Sequence, residues 1–382
     1  MKNLTVVIET TNRCNLNCNY CYASTESLED MSIETLESAL TNLLGFENSP
    51  GISFIWHGGE PLLRGFSFFE RIVELQSSIT TKREFLNGVQ TNGTLLDEQW
   101  LNFFETNRFR VSSSLDGPRD ITNLTRKYPD GTVAYDDIFR GVKMLQKRAN
   151  LLNERRETEP NHGRVRDLFG GLIAVIGKHN VDHIPELYEF FKEFSVQMRY
   201  NPVVDCYKRD CKIVSVSPQQ YGQALCTLFD LWSADNMPYP IEPLTGMTEG
   251  LSGKPIRECT FNDTCRNGLF FIAPNGSVYP CDKIIGKQEF LLGNISQDNF
   301  YDIVFSQRHA SMGLRSKQTV EGCQECDYGA VCNAGCMVNS YFSKGDLFGK
   351  DFFCDAYKMV FDHIKDRLKI KCLLLGGVAC LK

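Results

Sequence analysis

Between residues 4 and 204 the sequence beats in a strand–helix rhythm. Short apolar runs rich in β-branched residues recur at LTVVI (4–8), ISFIW (52–56), FLNGVQ (85–90), RVSSSL (110–115), GLIAVI (171–176) and VQMRYNPVV (196–204). Each has the length and composition of a strand. Stretches with apolar residues at helical spacing lie between them. In SIETLESALTNLLGF, Ile33, Leu36, Leu40, Leu43 and Leu44 are expected on one face behind a Ser32 N-cap. Similar patterns fall near 66–79, 97–106, 135–150 and 183–194. Strands alternating with helices make a parallel sheet with right-handed crossovers. Six such units predict an α/β fold, either a partial (β/α)6 TIM-like barrel or an open sheet. Its active site belongs on loops at the C-terminal ends of the strands. The charged stretch NERRETEPNHGRVRD (153–167) reads as a solvated insertion.

The cysteines say what chemistry this scaffold carries. A formal net charge of -6 argues against a general nucleic-acid binder or a basic membrane-surface protein. No apolar run reaches membrane-spanning length, and the N-terminus lacks the regions of a signal peptide. A cytoplasmic protein is therefore expected, yet the chain has sixteen cysteines. Thiols stay reduced in that compartment, so dense cysteine points to metal or redox chemistry. Three of them, Cys14, Cys18 and Cys21 in TTNRCNLNCNYCYAS, occupy the loop after the first strand. Disulfides need pairs and structural zinc usually takes four protein ligands. Three ligands suit a metal site that keeps one position open. No cysteine follows until 206, and then Cys259, Cys265, Cys281, Cys323, Cys326, Cys332, Cys336 and Cys354 crowd the second half. Cys206, Cys211, Cys226, Cys372 and Cys380 are expected to be ordinary core thiols. The apolar end KCLLLGGVACLK (371–382) is too short to span a membrane.

C-x3-C-x2-C after the first strand of a partial barrel resembles the signature of the radical S-adenosylmethionine (SAM) enzymes. The resemblance implies that Cys14, Cys18 and Cys21 hold three irons of a [4Fe–4S] cluster, with the fourth iron left to the amino and carboxylate groups of SAM. One-electron cleavage of SAM then gives a 5′-deoxyadenosyl radical that abstracts hydrogen from substrate. The protein binds, orients and excludes water while the cofactor does the hard chemistry. HGGEP (57–61) resembles the family's motif for the SAM amino group. There Gly58 and Gly59 would let the backbone approach the ligand, and Glu60 would offer a carboxylate to the ammonium. Tyr20 fits the aromatic residue near the adenine, or is a packed tyrosine. QTNGT (90–94) and SLDGP (114–118) end the third and fourth strands, so Asn92, Ser114 and Asp116 are expected to line the SAM or substrate site. Arg126 either pairs with SAM's carboxylate or is a surface arginine.

The second half resembles a SPASM domain, the auxiliary-cluster module of radical SAM peptide maturases. GSVYPC (276–281), CQECDYGAVCNAGC (323–336) and Cys354 reproduce its spacing, and Cys259 before Cys265 matches the fully ligated form in anaerobic sulfatase maturases. The resemblance implies one auxiliary [4Fe–4S] cluster on Cys259, Cys265, Cys281 and Cys336, and a second on Cys323, Cys326, Cys332 and Cys354. The alternative for these cysteines alone is a pair of zinc sites. Domains are expected at 1–215 (radical SAM barrel), 216–258 (a linking helix), 259–360 (SPASM) and 361–382 (a helix and apolar tail). Asp282 matches the aspartate proposed in sulfatase maturases to take a proton from the substrate. A solvent-facing aspartate is the plainer reading.

Three functions then compete. The favoured one is a maturase that installs a cross-link, thioether or epimer in a ribosomal peptide. The first strand begins so near the N-terminus that a leader-binding winged-helix module is not expected, which leaves recruitment to the enzyme's own surfaces or to a separate recognition protein. The second is a sulfatase maturase that makes formylglycine from cysteine or serine, favoured by QTNGTLLDEQW, Asp282 and the eight auxiliary cysteines. MVNSYF after Cys336 departs from it, since sulfatase maturases tend to carry basic residues there. The third is a non-catalytic metal-binding structural protein. Both enzyme readings imply SAM, three [4Fe–4S] clusters, a peptide or protein substrate and an electron donor such as flavodoxin or ferredoxin.

Overall fold

The computed structural model describes residues 3–22, 28–81, 83–158, 167–203, 214–262, 265 and 268–369. Cys206, Cys211, Cys372, Cys380, the apolar end and residues 159–166 of the charged insertion lie outside the described residues. The strands are β1 (Leu4–Thr11), β2 (Gly51–Gly58), β3 (Glu84–Thr91), β4 (Phe109–Ser114), β5 (Phe169–Ile176), β6 (Met198–Pro202), β7 (Ile241–Glu242), β8 (Leu269–Ile272), β9 (Ser277–Tyr279) and β10 (Gly293–Asn294). The first six stand where the apolar runs predict them. The chain forms two compact units, one of Met1–Leu115, Thr122–Leu172 and Cys265–Ala310, the other of Asp116–Ile121, Ile173–Thr264 and Ser311–Lys382, and the division falls within β5.

In the first unit β1, β2, β3 and β4 pair in parallel, with Val6 opposite Phe54, Phe54 opposite Asn87 and Gly88 opposite Arg110. The first crossover helix, Ile33–Gly45, starts where Ser32 Oγ accepts the Thr35 N–H at 3.1 Å, as the N-cap pattern predicts. Its buried face is Leu36, Ala39, Leu40, Leu43 and Leu44. Ile33, the first residue of the helix, does not join it and is 36% exposed. Helices Gly65–Ser78 and Glu98–Thr106 close the next two crossovers around an aromatic core in which Trp100 stacks on Phe66 at 4.0 Å and on Phe104 at 5.3 Å. A buried polar cluster beneath them is satisfied: Asn87 Oδ1 accepts from Trp56 Nε1 at 2.9 Å and from Gln76 Nε2 at 3.0 Å. The helix expected at 135–150 runs from Tyr135 to Thr158 and takes up the start of the charged stretch.

The free edge of β1 is covered by chain from far along the sequence. β8 pairs with β1 in parallel, Val6 opposite Phe270, and β9 and β10 continue as antiparallel neighbours. Phe270 and Ile272 are fully buried there. The segment from Cys265 to Ala310 therefore packs with the N-terminal strands, so the compact units cut across the sequence division at 259. In the second unit β6 pairs with β7 in parallel. Helix Pro218–Ala234, opened by a Ser217–Gln220 capping box, packs along helix Cys354–Leu368. Asp230 ties the two by accepting from His363 Nε2 at 2.8 Å and from the Arg367 guanidinium at 2.8 and 2.9 Å. Among the described residues no helix is long and apolar enough to cross a membrane.

Candidate active site and cluster ligands

The loop after β1 is pinned at its base before it reaches the cysteines. Met31 N–H bonds Thr10 O at 2.9 Å and Asn12 N–H bonds Glu29 O at 3.1 Å. Further along, Asn17 N–H bonds Lys127 O at 2.7 Å and Asn19 N–H bonds Thr125 O at 3.2 Å. Cys14, Cys18 and Cys21 are half-buried thiols outside any disulfide, and Leu16 N–H points at Cys14 Sγ at 3.3 Å. Burial pushes the Cys14 thiol up to about 11. A bound cation is what makes such a group a thiolate.

The end of β2 lies directly on this loop. Gly59 N–H bonds Thr11 O at 2.9 Å and Glu60 N–H bonds Arg13 O at 2.8 Å. A Cβ at Gly58 would stand 2.1 Å from Thr11 O, and one at Gly59 2.1 Å from Arg13 O. The two glycines are thus required by the backbone that carries Cys14, a reason that sequence reading alone assigned to the ligand. Glu60 is fully buried and accepts three bonds, from Leu62 N at 3.0 Å, Thr91 Oγ1 at 2.8 Å and Asn92 N at 2.7 Å. Burial pushes its carboxyl up to about 7, against the pull of those donors. Asn92 carries the connection onward: its Nδ2 donates to Asn15 Oδ1 at 2.8 Å and stands 3.8 Å from Cys14 Sγ. Glu60, Asn92 and Cys14 therefore form one bonded chain.

The remaining expected site residues divide. Arg126 is 5% exposed with its guanidinium 5.5 Å from the centre of the half-buried Tyr20 ring, so it is not a surface arginine. Ser114 accepts from Gln90 Nε2 at 3.0 Å. Asp116 belongs to the other unit, where it is fully buried and accepts the Val175 N–H of β5 at 3.0 Å, a strand-fixing role of its own. Asp282 opens a short 3-10 turn in the first unit. Tyr22, next to Cys21, donates its hydroxyl to Asp282 Oδ2, and the Cys281 thiol stands 3.2 Å from Oδ1. Desolvation lowers the pKa of His57, while the charge of Asp282 works the other way. Asp282 is therefore not merely solvent-facing, and Tyr22 and His57 are neighbours that the motif reading passed over.

In the second unit Cys323, Cys326, Cys332 and Cys354 line a single small cavity together with Asp351 and Lys358. Burial raises the pKa of Cys323, Cys332 and Cys354, and Lys358 opposes that shift at Cys323 and Cys354. Among the described residues no three Cys, His, Asp or Glu side chains gather tightly enough for one metal ion. Four thiols around one space are a donor set that a [4Fe–4S] cluster can use. Cys226 sits half-buried on helix Pro218–Ala234, where burial pushes its thiol up to about 11, the state of an ordinary core thiol.

The comparisons agree with this layout. The radical SAM superfamily model matches residues 8–191, and that of the SPASM iron–sulfur cluster-binding domain matches 264–327. A cysteine-type anaerobic sulfatase-maturating enzyme of Clostridium perfringens is 30% identical over 369 residues, 93% of this chain and 94% of its own. The chain belongs to the radical SAM superfamily. A serine-type anaerobic sulfatase-maturating enzyme of Bacteroides thetaiotaomicron is 29% identical over 92% of this chain and 86% of its own. A solved structure of native anSMEcpe with bound AdoMet and Cp18Cys peptide superimposes with a TM-score of 0.80 at 28% identity, covering 96% of this chain and 98% of that one. Streptococcus suis SuiB bound to precursor peptide SuiA shares the fold, with a TM-score of 0.63 at 16% identity over 91% of this chain and 75% of that one.

The cofactors of this radical SAM enzyme are therefore SAM and [4Fe–4S] clusters. The donors present fit them: three thiols on one loop, which would leave one iron of a four-iron cluster open, and four thiols around one cavity. A non-catalytic structural role has no support beside this membership.

Proposed function

We propose that the chain is a formylglycine-forming maturase, which oxidises the β-carbon of a cysteine or serine in a sulfatase-type polypeptide to an aldehyde. One observation carries the reading: a cysteine-type and a serine-type sulfatase maturase align with 93% and 92% of the chain. The sequence alone favoured a cross-linking, thioether-forming or epimerising enzyme, and that reading has less support. SuiB, with its precursor peptide, matches at 16% identity, a likeness of fold only. MVNSYF departs from the maturase pattern, and near-equal identity to a cysteine-type and a serine-type relative leaves the target residue to experiment.

Cys14, Cys18 and Cys21 would hold the SAM-binding cluster, and Cys323, Cys326, Cys332 and Cys354 one auxiliary cluster. Cys259, Cys265, Cys281 and Cys336 are assigned to the other by spacing alone. When bound, SAM and these clusters supply the radical that takes one hydrogen atom from the substrate and an outlet for the electron left behind. Gly58, Gly59 and Glu60 set the backbone around Cys14, with Glu60 and Arg126 as candidates for SAM's amino and carboxylate groups and Tyr20 for its adenine. Asn92 and Ser114 would line the same site. Asp282 takes the substrate's S–H or O–H proton as the carbon–sulfur or carbon–oxygen double bond forms; water then replaces sulfur in the cysteine case. The Tyr22 hydroxyl, bonded to Oδ2, fixes the carboxylate for that transfer. Flavodoxin or ferredoxin would deliver the starting electron in a reducing cytoplasm.

The test is anaerobic turnover with SAM, dithionite and two sulfatase-derived peptides that differ only in cysteine or serine at the target. An aldehyde trapped by a hydrazine reagent is expected from at least one of them. Asp282→Asn should still release 5′-deoxyadenosine but form little aldehyde. SAM cleavage with no aldehyde from either peptide defeats the proposal, and loss of two hydrogens without an aldehyde would point back to a cross-link.

A further inference from the structure

Asp351 is a buried carboxylate that neither the SAM site nor the substrate chemistry uses. It is 5% exposed and lies in the wall of the cavity lined by Cys323, Cys326, Cys332 and Cys354. Its Oδ2 accepts the N–H of Cys336 at 2.6 Å, and its Oδ1 accepts the N–H of Phe353 at 2.7 Å. Asn339 Nδ2 donates to the same carboxylate at 3.2 and 3.4 Å. The backbone carbonyl of Asp351 accepts the N–H of Cys354 at 3.0 Å. One residue therefore holds two cysteines that spacing assigns to different clusters, Cys354 by its main chain and Cys336 by its side chain.

The neighbourhood is built for this contact. Gly335, with φ +69°, has Asp351 Cβ only 2.7 Å from where its own Cβ would stand, so a larger residue beside Cys336 would push the carboxylate away. Arg315, 1% exposed, donates to Ala334 O at 2.6 Å and to Gly349 O at 2.8 Å, which clamps together the two loops that Asp351 bridges. Asn339 comes from MVNSYF, the stretch where the sequence departs from the maturase pattern.

We propose that Asp351 is a positioning residue that couples the two auxiliary clusters, fixing a ligand of each and lowering the reduction potential of both. Two effects act in the same direction. A carboxylate in the cavity wall disfavours the added electron. It also engages the Cys336 N–H, which would otherwise be free to donate to cluster or thiolate sulfur and raise the potential. The inference rests on the ligand assignment and not on the identity of the substrate, so its test needs neither peptide nor turnover.

The experiment uses the full chain with Cys14, Cys18 and Cys21 changed to Ala, reconstituted with iron and sulfide so that only the auxiliary clusters form. Redox titration followed by electron paramagnetic resonance reads the two midpoints. Asp351→Asn in this background should keep its iron and shift both midpoints positive, and Asp351→Glu should restore them towards the parent. Unchanged midpoints, or movement of one cluster alone, overturn the coupling. Should Asp351→Asn fail to hold both clusters, Asn339→Ala removes one donor and leaves the carboxylate and its two backbone contacts. Both midpoints should then move together, and absence of any shift, or movement of one cluster alone, overturns the proposal. Cys336→Ala should cost one auxiliary cluster; if both persist, the ligand assignment is wrong and the bridge falls with it.

Discussion

Gly59→Ala tests the claim that the glycines of HGGEP serve the cysteine loop's own backbone. The added Cβ would lie 2.1 Å from Arg13 O, 2.5 Å from Arg13 C and 2.8 Å from Asn12 O. Close C···O contacts in proteins sit near 3.3 Å, so the two backbones must separate by about 1 Å. That movement stretches the Gly59 N–H bond to Thr11 O and the Glu60 N–H bond to Arg13 O, at 2.9 and 2.8 Å. Overpacking costs about 1–3 kcal/mol, and each loosened bond adds on the order of 1 kcal/mol. A loss of about 3–5 kcal/mol is therefore expected in urea unfolding of the iron-free protein. Because the displaced residue is Arg13, beside Cys14, the reconstituted variant should also lose roughly a third of its iron, one four-iron cluster of three. Gly45→Ala is the control: nothing lies within 4 Å of its Cβ position at the end of helix Ile33–Gly45. It should leave stability unchanged or raise it by about 0.5–1 kcal/mol. A Gly59→Ala protein that unfolds at the parent's midpoint with full iron would refute the packing argument.

Other perturbations separate the roles further. Glu60→Gln presents an amide nitrogen, which cannot accept, to one of the three donors that the carboxylate now satisfies. One buried N–H is left unpaired, and a loss of about 1–3 kcal/mol should appear in urea melts even without SAM; wild-type stability would mean that these bonds do not form in solution. Cys18→Ala should abolish SAM cleavage, read as 5′-deoxyadenosine, because the proposed SAM-binding cluster would lose one of its three protein ligands. Cys332→Ala should lower iron content while keeping some uncoupled SAM cleavage, and full aldehyde yield from it would remove the second-unit cavity from the reaction.

The local part of this fold was legible because it obeys two periods. Apolar runs of period two and helical faces of period 3.6 place β1 to β6 and their crossovers, and Ser32 caps where a serine before such a face should. Pairing between distant segments was not legible. LFFI at β8 looks like any short apolar run, and nothing local says that it completes the edge of β1 some 260 residues away. The cysteine spacing drew that segment into a C-terminal module, whereas burial of Phe270 and Ile272 draws it to the N-terminal sheet. Arg126 shows the same limit at one residue, since only the fold reveals that Tyr20 covers it. Tyr22 and Asp351 lie outside the motifs that spacing detects, although each stands within three residues of a cysteine that spacing does find.

Asp282 shows what that proximity achieves. The backbone fastens it to Cys281, a ligand of an auxiliary cluster by spacing, and a hydrogen bond fastens it to Tyr22, one residue beyond Cys21 of the SAM-binding loop. A proton acceptor held from both sides cannot drift relative to either loop without breaking the Tyr22 bond. Under the proposed function, a carboxylate that takes the substrate proton would thereby be kept in register with the cysteine loop after β1 and with Cys281. Loss of Cys281 should then damage more than electron transfer. It should release the turn that presents Asp282, so that Cys281→Ala forms less aldehyde per 5′-deoxyadenosine than Cys332→Ala does, and equal coupling in the two variants would show that the turn holds the carboxylate without its cysteine.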